Sequence, residues 1–382
     1  MIFAVPELLS DELRAMGRLE IVREGIKFAL RAPARWFGTL RRNAFARAIR
    51  GSNSIEGYHV SEEDALAAAE GEPPLDAPTE TWLAINGYRL AMTYVLQMAT
   101  DRNFCYSEGL LKSLHFMMTQ HELKKHPGTY RPGAIYVRDE QKQVIVYEGP
   151  DVELLPELMP ELIESLNQSS DTPVAVRAAM AHLNLVMIHP FSDGNGRMAR
   201  ALQTLVLGRE GILEPPFSSI EEYLGRNTQE YYDVLAEVGQ GSWHPRNNAR
   251  PWIRFCIKAH YHQGKTISRR IEHTRRIWDV LEKLLAERRL PDRCIYALAD
   301  ATMGFKVRNS NYRNIADISL NLASRDLNTL VENDLLKAQG EARGRFYTAT
   351  EELEAIRKET APAKKIDDPF ETIAPELFEE FA

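Results

Sequence analysis

Cysteine is scarce. Cys105, Cys256 and Cys294 are the chain's three, far apart and without a Cys-x-x-Cys spacing, which argues against a zinc site and against a disulfide framework. Thiols used this sparingly are expected to be buried. No unbroken apolar run approaches the roughly twenty residues that a membrane-spanning helix needs. The opening Met1-Ile-Phe-Ala-Val-Pro6 has neither the charged start nor the long apolar core of a secretory signal, so a cytoplasmic protein with no membrane partner is the expectation. An excess of positive charge is also missing: 47 Lys and Arg stand against 54 Asp and Glu, a net charge of −7. With no global basic field, contact with nucleic acid would have to come from a local patch. What is present is an ordinary globular composition, 44% apolar and 26% charged over 382 residues, enough for two or three compact domains with their own cores.

One stretch carries dense chemistry: His189-Pro-Phe-Ser-Asp-Gly-Asn-Gly-Arg-Met-Ala-Arg200. The apolar runs before it, Ala178 to Ile188, and after it, Ala201 to Leu207, have helical periodicity, so it reads as a loop opening a second helix. Gly194, Asn195 and Gly196 let backbone amides approach a ligand, and the start of the following helix adds partial positive charge; together they form an anion cradle. Asp193 at its lip can hold a hard divalent cation such as Mg²⁺, and Arg197 and Arg200 lie near one helical face. An imidazole, a carboxylate, glycine-framed amides and two guanidiniums suit the handling of phosphoryl groups.

The stretch resembles the signature of the Fic family: His-Pro-Phe, a variable residue, Asp or Glu, Gly-Asn-Gly-Arg, two variable residues and Arg. Every fixed position is matched. The resemblance implies a mainly α fold, a Fic-type helical bundle with a small β-hairpin flap, and a nucleotidyltransferase that moves AMP from ATP onto a Ser, Thr or Tyr hydroxyl of a target protein or of itself. His189 would be the base, Asp193, Gly194, Asn195, Gly196, Arg197 and Arg200 would bind the nucleotide, and Mg²⁺ and ATP would be required.

Upstream, Gly51-Ser-Asn-Ser-Ile-Glu-Gly57 places Ser52 and Glu56 four residues apart, on one face if helical, with Gly57 suited to a helix end. This resembles the family's inhibitory motif, in which the glutamate pairs with the second signature arginine, here Arg200, and keeps the γ-phosphate of ATP from seating productively. Gly128 to Pro150 reads as a β-hairpin. By resemblance it is the flap, spanning 129–149, with Ile135, Tyr136 and Val137 pairing with the target's main chain. Arg226, Tyr231 and Tyr232 lie where the family builds part of its nucleotide pocket, and core tyrosines remain the other reading. His115 and His121 lack companions at metal spacing and read as structural or surface residues.

Trp252 to Ala259 reads as the last helix of the catalytic body. Beyond it, Arg276 to Arg288, Cys294 to Ala301 and Ile318 to Asn333 read as helices, followed by two short strands around a Gly-rich turn. That order resembles the winged helix found at the C-terminus of many Fic proteins. Leu320 to Asn333 would then be the recognition helix, and Ser319, Asn321, Ser324, Arg325, Asn328, Arg343 and Arg345 could reach DNA. Packing on another protein is the alternative. The expected organisation is an N-terminal helical region over 1–110 with the inhibitory motif at 52–57, a catalytic core over 111–262 with its signature at 189–200, a winged helix over 267–350 and an acidic tail over 351–382. The tail reads as a short helix and a flexible segment from Asp367 whose Phe and Leu residues could dock on a partner. A homo-oligomer fits the family but no self-complementary patch is legible.

Overall fold

The computed structural model describes all residues except 32–33, 73–76, 140–142, 212–213, 342–343, 364 and 372–382. Part of the expected hairpin, Arg343 and the last part of the tail therefore lie outside the described residues.

The chain divides into two compact units, one comprising Met1–Lys27, Ala44–Lys265 and Ile366–Ala382, the other Phe28–Asn43 and Thr266–Lys365. The first unit is mainly helical. Its elements are α1 (Ser10–Ala29), α2 (Phe37–Ile55), α3 (Glu62–Glu70), α4 (Thr79–Thr100), α5 (Glu108–Thr119), an antiparallel hairpin of β1 (Tyr136–Asp139) and β2 (Val144–Glu148), then α6 (Leu155–Asn167), α7 (Val174–Ile188), α8 (Asn195–Arg209), α9 (Pro215–Ser218), α10 (Glu221–Arg226), α11 (Thr228–Gly239) and the start of α12 (Arg250–Glu287). The last residues of α1 and the first of α2 belong to the second unit, and so does the latter part of α12.

Helices α7 and α8 form the centre. Both are buried over most of their length, with Ala178, Leu185, Ile188, Met198, Leu202 and Leu205 in one core with Tyr88, Val95 and Leu111 of α4 and α5. Burial of helices this apolar is the main stabilising term, on the order of 2 kcal/mol for each large side chain removed from water. A second cluster on the other side of α7 joins Val176, Met180 and Leu183 to Leu224, Tyr231, Val234, Trp252 and Ile253. Close helix contacts run through glycine: a Cβ at Gly51 would lie 2.4 Å from the Glu221 carbonyl oxygen. Cys105 is exposed, whereas Cys256 and Cys294 are buried, so one of the three thiols departs from the expectation.

In the second unit, α13 (Ile295–Thr302), α14 (Asn309–Ala316) and α15 (Leu320–Glu332) precede a two-stranded antiparallel sheet, β3 (Leu336–Gln339) and β4 (Phe346–Ala349), and α16 (Glu351–Glu359) follows. Helix α14 was not legible: its sequence Asn-Ser-Asn-Tyr-Arg-Asn-Ile-Ala carries little apolar periodicity, and Tyr312 anchors it through a buried hydroxyl that donates to Asp326 at 2.8 Å. Asp326, on the expected recognition helix, also takes two bonds from Arg293, at 2.7 and 2.8 Å, and faces inward. Ser319 caps α15 by accepting from the Leu322 amide. Asn321, Arg325 and Asn328 remain exposed along one face of α15.

Two expectations about boundaries change. Trp252 to Ala259 and Arg276 to Arg288 are parts of one continuous helix, because the polar residues between them include no proline or cap to stop it. The tail from Asp367 does not stand away from the chain over its described part: the Tyr261 hydroxyl donates to Asp367, Arg18 pairs with the same carboxylate, and Arg254 lies 4.2 Å from the Phe370 ring centroid.

Candidate active site

The signature begins where α7 ends. His189 caps that helix in the left-handed region (φ 51°, ψ 55°), its amide donating to the Leu185 carbonyl at 3.0 Å. Its Nδ1 is 2.9 Å from the Val186 carbonyl. A carbonyl can only accept, so Nδ1 carries the proton and Nε2 is left with its lone pair. Burial holds the imidazole pKa below its ordinary value, with the Arg131 charge acting in the same direction and the Val186 bond opposing it.

The loop is held from several sides. Phe191 stacks on His115 at 3.9 Å between centroids, with the two rings nearly parallel. The Gly128 amide donates to His115 Nδ1 at 2.9 Å, so His115 Nε2–H donates to the Asp193 carbonyl at 3.0 Å. His115 is thus structural, as its sequence context implies, and its task is to fix the loop backbone; desolvation drives its pKa down to about 4, which keeps it in the required neutral form. The Asn195 side chain accepts from the Phe191 amide at 3.0 Å and donates to the Phe191 carbonyl at 2.8 Å. That clasp commits its amide group to the loop, leaving the Asn195 main chain as the part that faces a ligand. Gly194, at φ 74°, precedes α8, whose first-turn amides have no intrahelical acceptor.

Both signature arginines are 1% exposed. Arg200 Nε donates to Ser52 Oγ at 2.7 Å, and its Nη2 donates to the Ser52 carbonyl at 3.0 Å and to Glu56 Oε1 at 2.6 Å. Arg197 lies 3.7 Å from Asp193 and 5.4 Å from the Tyr58 ring centroid. Arg197 Nε and Nη1 and Arg200 Nη1 are buried without a hydrogen-bond partner. Orphaned guanidinium donors at a helix N-terminus are costly unless an anion satisfies them. Glu56 reaches Arg200 because α2 stops one residue earlier: Gly57 at φ 83° and the Tyr58 amide donating to the Asn53 carbonyl at 3.0 Å make a Schellman closure.

Asp193 pairs with Lys125 Nζ at 2.7 Å, and that ion pair holds its carboxyl below the usual range against the opposing effect of burial. Among the described residues no group of three or more His, Cys, Asp or Glu side chains is placed to hold a metal ion. A Mg²⁺ here would take one oxygen from Asp193 and the rest from phosphates and water, a common arrangement in nucleotide enzymes, and Asp193 fits that limited part.

The hairpin lies against the same loop. Arg131, 3% exposed, donates from Nε to the His189 carbonyl at 2.9 Å, from Nη1 to the Gly133 carbonyl at 2.6 Å and from Nη2 to the Pro150 carbonyl, joining both ends of the hairpin to His189. The Tyr147 hydroxyl donates to the Met187 carbonyl at 2.8 Å. Tyr136, Val144, Ile145 and Val146 are exposed. Tyr136 and Val137 lie on β1, with a bulge after Val137, and Ile135 precedes the strand, its carbonyl accepting from the Gly149 amide at 3.1 Å.

Residues 105–207 match the Fic/DOC family. The matched segment contains the whole 189–200 stretch, and the fold agrees. A Fic family protein from Desulfovibrio desulfuricans G20 superposes with a TM-score of 0.59 at 21% identity, covering 91% of this chain and 98% of that one. Fic-1 from C. elegans gives 0.52 at 20% identity, covering 66% and 71%. Protein adenylyltransferase Fic of Aedes aegypti is 29% identical over 216 residues, 56% of this chain and 40% of that protein. The protein of the same name from Nematostella vectensis is 26% identical over 259 residues, 67% of this chain and 56% of the relative. The chain thus spans roughly half or less of the length of these relatives. No helix among the described residues is long and apolar enough to cross a membrane.

The remaining expected nucleotide contacts do not converge equally. Tyr232 is partly exposed and its hydroxyl donates to the Ile55 carbonyl at 3.2 Å, one residue before Glu56. Tyr231 is 1% exposed, its hydroxyl 3.1 Å from His182 Nε2, and sits in the core, so its ring has no open face for a base. Arg226 is solvent-exposed and ion-paired with Glu222 at 2.6 Å, in a hollow with Arg47, Arg50 and His59 whose lining includes no signature residue. Arg131 and Lys125 were missed: single basic residues in a loop carry no periodic signal, and their roles come from partners distant in sequence.

Proposed function

We propose that this chain is a protein adenylyltransferase that transfers AMP from ATP to a hydroxyl of a protein substrate, its own chain included, and that Glu56 restrains it. The observation that carries the reading is the pair of buried arginines near the start of α8, with three guanidinium nitrogens left without a partner and Glu56 already engaging Nη2 of Arg200. The names of the relatives support the same chemistry.

In this reading the phosphates lie over Gly194, Asn195 and Gly196, with Arg197 and Arg200 on the outer phosphates, where donors are in place before charge develops. Mg²⁺, held in part by Asp193, supplies charge neutralisation to the phosphates when bound. His189 Nε2 accepts the proton of the attacking Ser, Thr or Tyr hydroxyl; the new O–P bond forms at the α-phosphorus as the bond to pyrophosphate breaks. Ile135, Tyr136 and Val137 border the hairpin edge on which the target's main chain would pair. Tyr232 is the better placed of the two tyrosines to meet the base. While Glu56 engages Arg200, the γ-phosphate lacks that guanidinium, and turnover is suppressed.

The second unit has the order of a winged helix, and the exposed Asn321, Arg325 and Asn328 favour a DNA contact as its role. A salt-dependent footprint that persists in His189→Ala would support it.

The deciding experiment incubates the Glu56→Gly protein with a panel of nucleoside triphosphates and reads intact mass. An AMP adduct formed from ATP, and lost in Glu56→Gly/His189→Ala, is the expected result. No adduct on the chain or on added lysate proteins, or an adduct of another nucleotide, would remove the reading.

A further inference from the structure

Lys125 lies outside the signature, at the end of a short 3-10 turn, Leu123–Lys125. Its ammonium is 2.7 Å from Asp193 Oδ2 and 3.0 Å from Glu122 Oε1. It therefore stands between two carboxylates, one at the lip of the anion cradle and one behind it. The oxygen it holds is also the one nearest Arg197 Nη2, at 3.7 Å.

A Mg²⁺ ligated by that carboxylate needs an oxygen at about 2.0–2.1 Å. An ammonium on the same oxygen would leave two cations within roughly 4 Å of one another, with a repulsion large enough to exclude one of them. Arg197 is 1% exposed and cannot yield. Lys125 is 31% exposed, on a flexible four-carbon stem, and Glu122 is already within reach.

We propose that Lys125 is a positioning residue: the resident counterion of Asp193, which neutralises that carboxylate before nucleotide arrives and passes to Glu122 when magnesium-bound nucleotide enters. The inference rests on the adenylyltransferase reading above. It makes Lys125 a setter of the metal requirement rather than a phosphate ligand. With the ammonium in place, metal-free ATP meets a neutralised Asp193. Without it, the same ATP meets a bare negative charge, whereas Mg²⁺ meets no competitor. Removing the charge therefore moves the two affinities in opposite directions, which neither a structural lysine nor a phosphate-binding lysine would do.

The test uses the full chain carrying Glu56→Gly and His189→Ala, so that nothing turns over, with ATP titrated calorimetrically in Mg²⁺ and in EDTA. Adding Lys125→Met is expected to tighten ATP binding in Mg²⁺ about fivefold and to weaken it in EDTA about fivefold. Lys125→Arg keeps the cation and is expected to stay near the parent in both. Glu122→Gln, which removes the alternative partner, is expected to weaken binding in Mg²⁺ alone, and it reports independently should Lys125→Met fail to fold. Equal weakening of Lys125→Met in both conditions, or no change in either, would overturn the proposal while leaving the adenylyltransferase reading intact. A parent protein that binds ATP in neither condition would overturn both.

Discussion

Oε1 of Glu56 lies 2.6 Å from Nη2 of Arg200, across 144 residues of sequence. Gly196 makes the approach feasible: a Cβ there would sit 2.6 Å from the same glutamate oxygen and 3.0 Å from Arg200 Nη1. A glycine that reads as a phosphate-cradle residue therefore also makes room for the Glu56 carboxylate, which in the proposed function competes with the phosphate.

Glu56→Gly should free Nη2 for a ligand and raise AMP incorporation by an order of magnitude or more. It should also lower stability by about 1–3 kcal/mol, because Arg200 stays buried with one charged partner fewer. Labelling with α-labelled ATP and urea denaturation of the same preparation measure the two effects. Gain of activity without loss of stability would mean that the pair is not maintained in solution.

Ser52 is fully buried and accepts from Arg200 Nε at 2.7 Å, beside the Nη2 that Glu56 engages, so it helps aim the guanidinium. Ser52→Ala should therefore act with opposite signs in two backgrounds. In the wild type it loosens the arginine from Glu56 and raises labelling modestly. In Glu56→Gly it leaves Arg200 poorly aimed and lowers labelling about tenfold, the effect of losing one charge-assisted hydrogen bond of roughly 1.5 kcal/mol. Parallel initial rates for the four proteins decide it.

Arg131 joins the His189, Gly133 and Pro150 carbonyls through one fork. Lysine cannot reproduce three directed bonds from a planar group, so Arg131→Lys and Arg131→Met should both loosen the hairpin. Faster amide exchange over 133–150, with α7 and α8 unchanged, and a fall in labelling of the Glu56→Gly protein are the expected outcomes. Unchanged exchange would show that the hairpin holds without it.

Stability should fall with acidification below about pH 6.5. Burial lowers the pKa of His182 to about 3 and that of His115 to about 4, and pushes His260 well down. Below the unfolded value of 6.5 the unfolded chain binds these protons and the native chain does not, so each histidine contributes a slope of about 1.4 kcal/mol per pH unit. Glu221, raised by burial to about 7, acts with the opposite sign between its ordinary value of 4.5 and that pH, and offsets one of the three. Denaturation midpoints that drop from pH 6.5 to pH 5 fit this balance; a flat profile would contradict the buried neutral histidines. The labelling rate has its own acid limb, from His189, which burial places below 6.5, so the rate should already be level at neutral pH.

The chemistry of the site was legible because it is contiguous. His189 to Arg200 bring imidazole, amides and guanidiniums into one loop and one helical turn, and adjacency in sequence is adjacency in space over that length. Apolar runs such as those of α7 and α8 were legible for a related reason, since helical periodicity is itself a local pattern. Helix α14 was not, because its polar residues carry no such record, and neither was the unbroken course of α12.

By itself, then, the sequence determined a helical chain with a glycine-framed loop between two helices and a short Ser-x-x-x-Glu-Gly turn, each through local patterns of backbone and side-chain preference. Only the tertiary structure decided that Ser52 and Glu56 meet Arg200, that Arg131 ties the hairpin to His189, that Lys125 sits on Asp193, and that Tyr231 is walled into the core. Those pairings cost chain entropy that only the packing of α2, α7 and α8 around a shared core can repay, and no stretch of sequence read alone contains both partners.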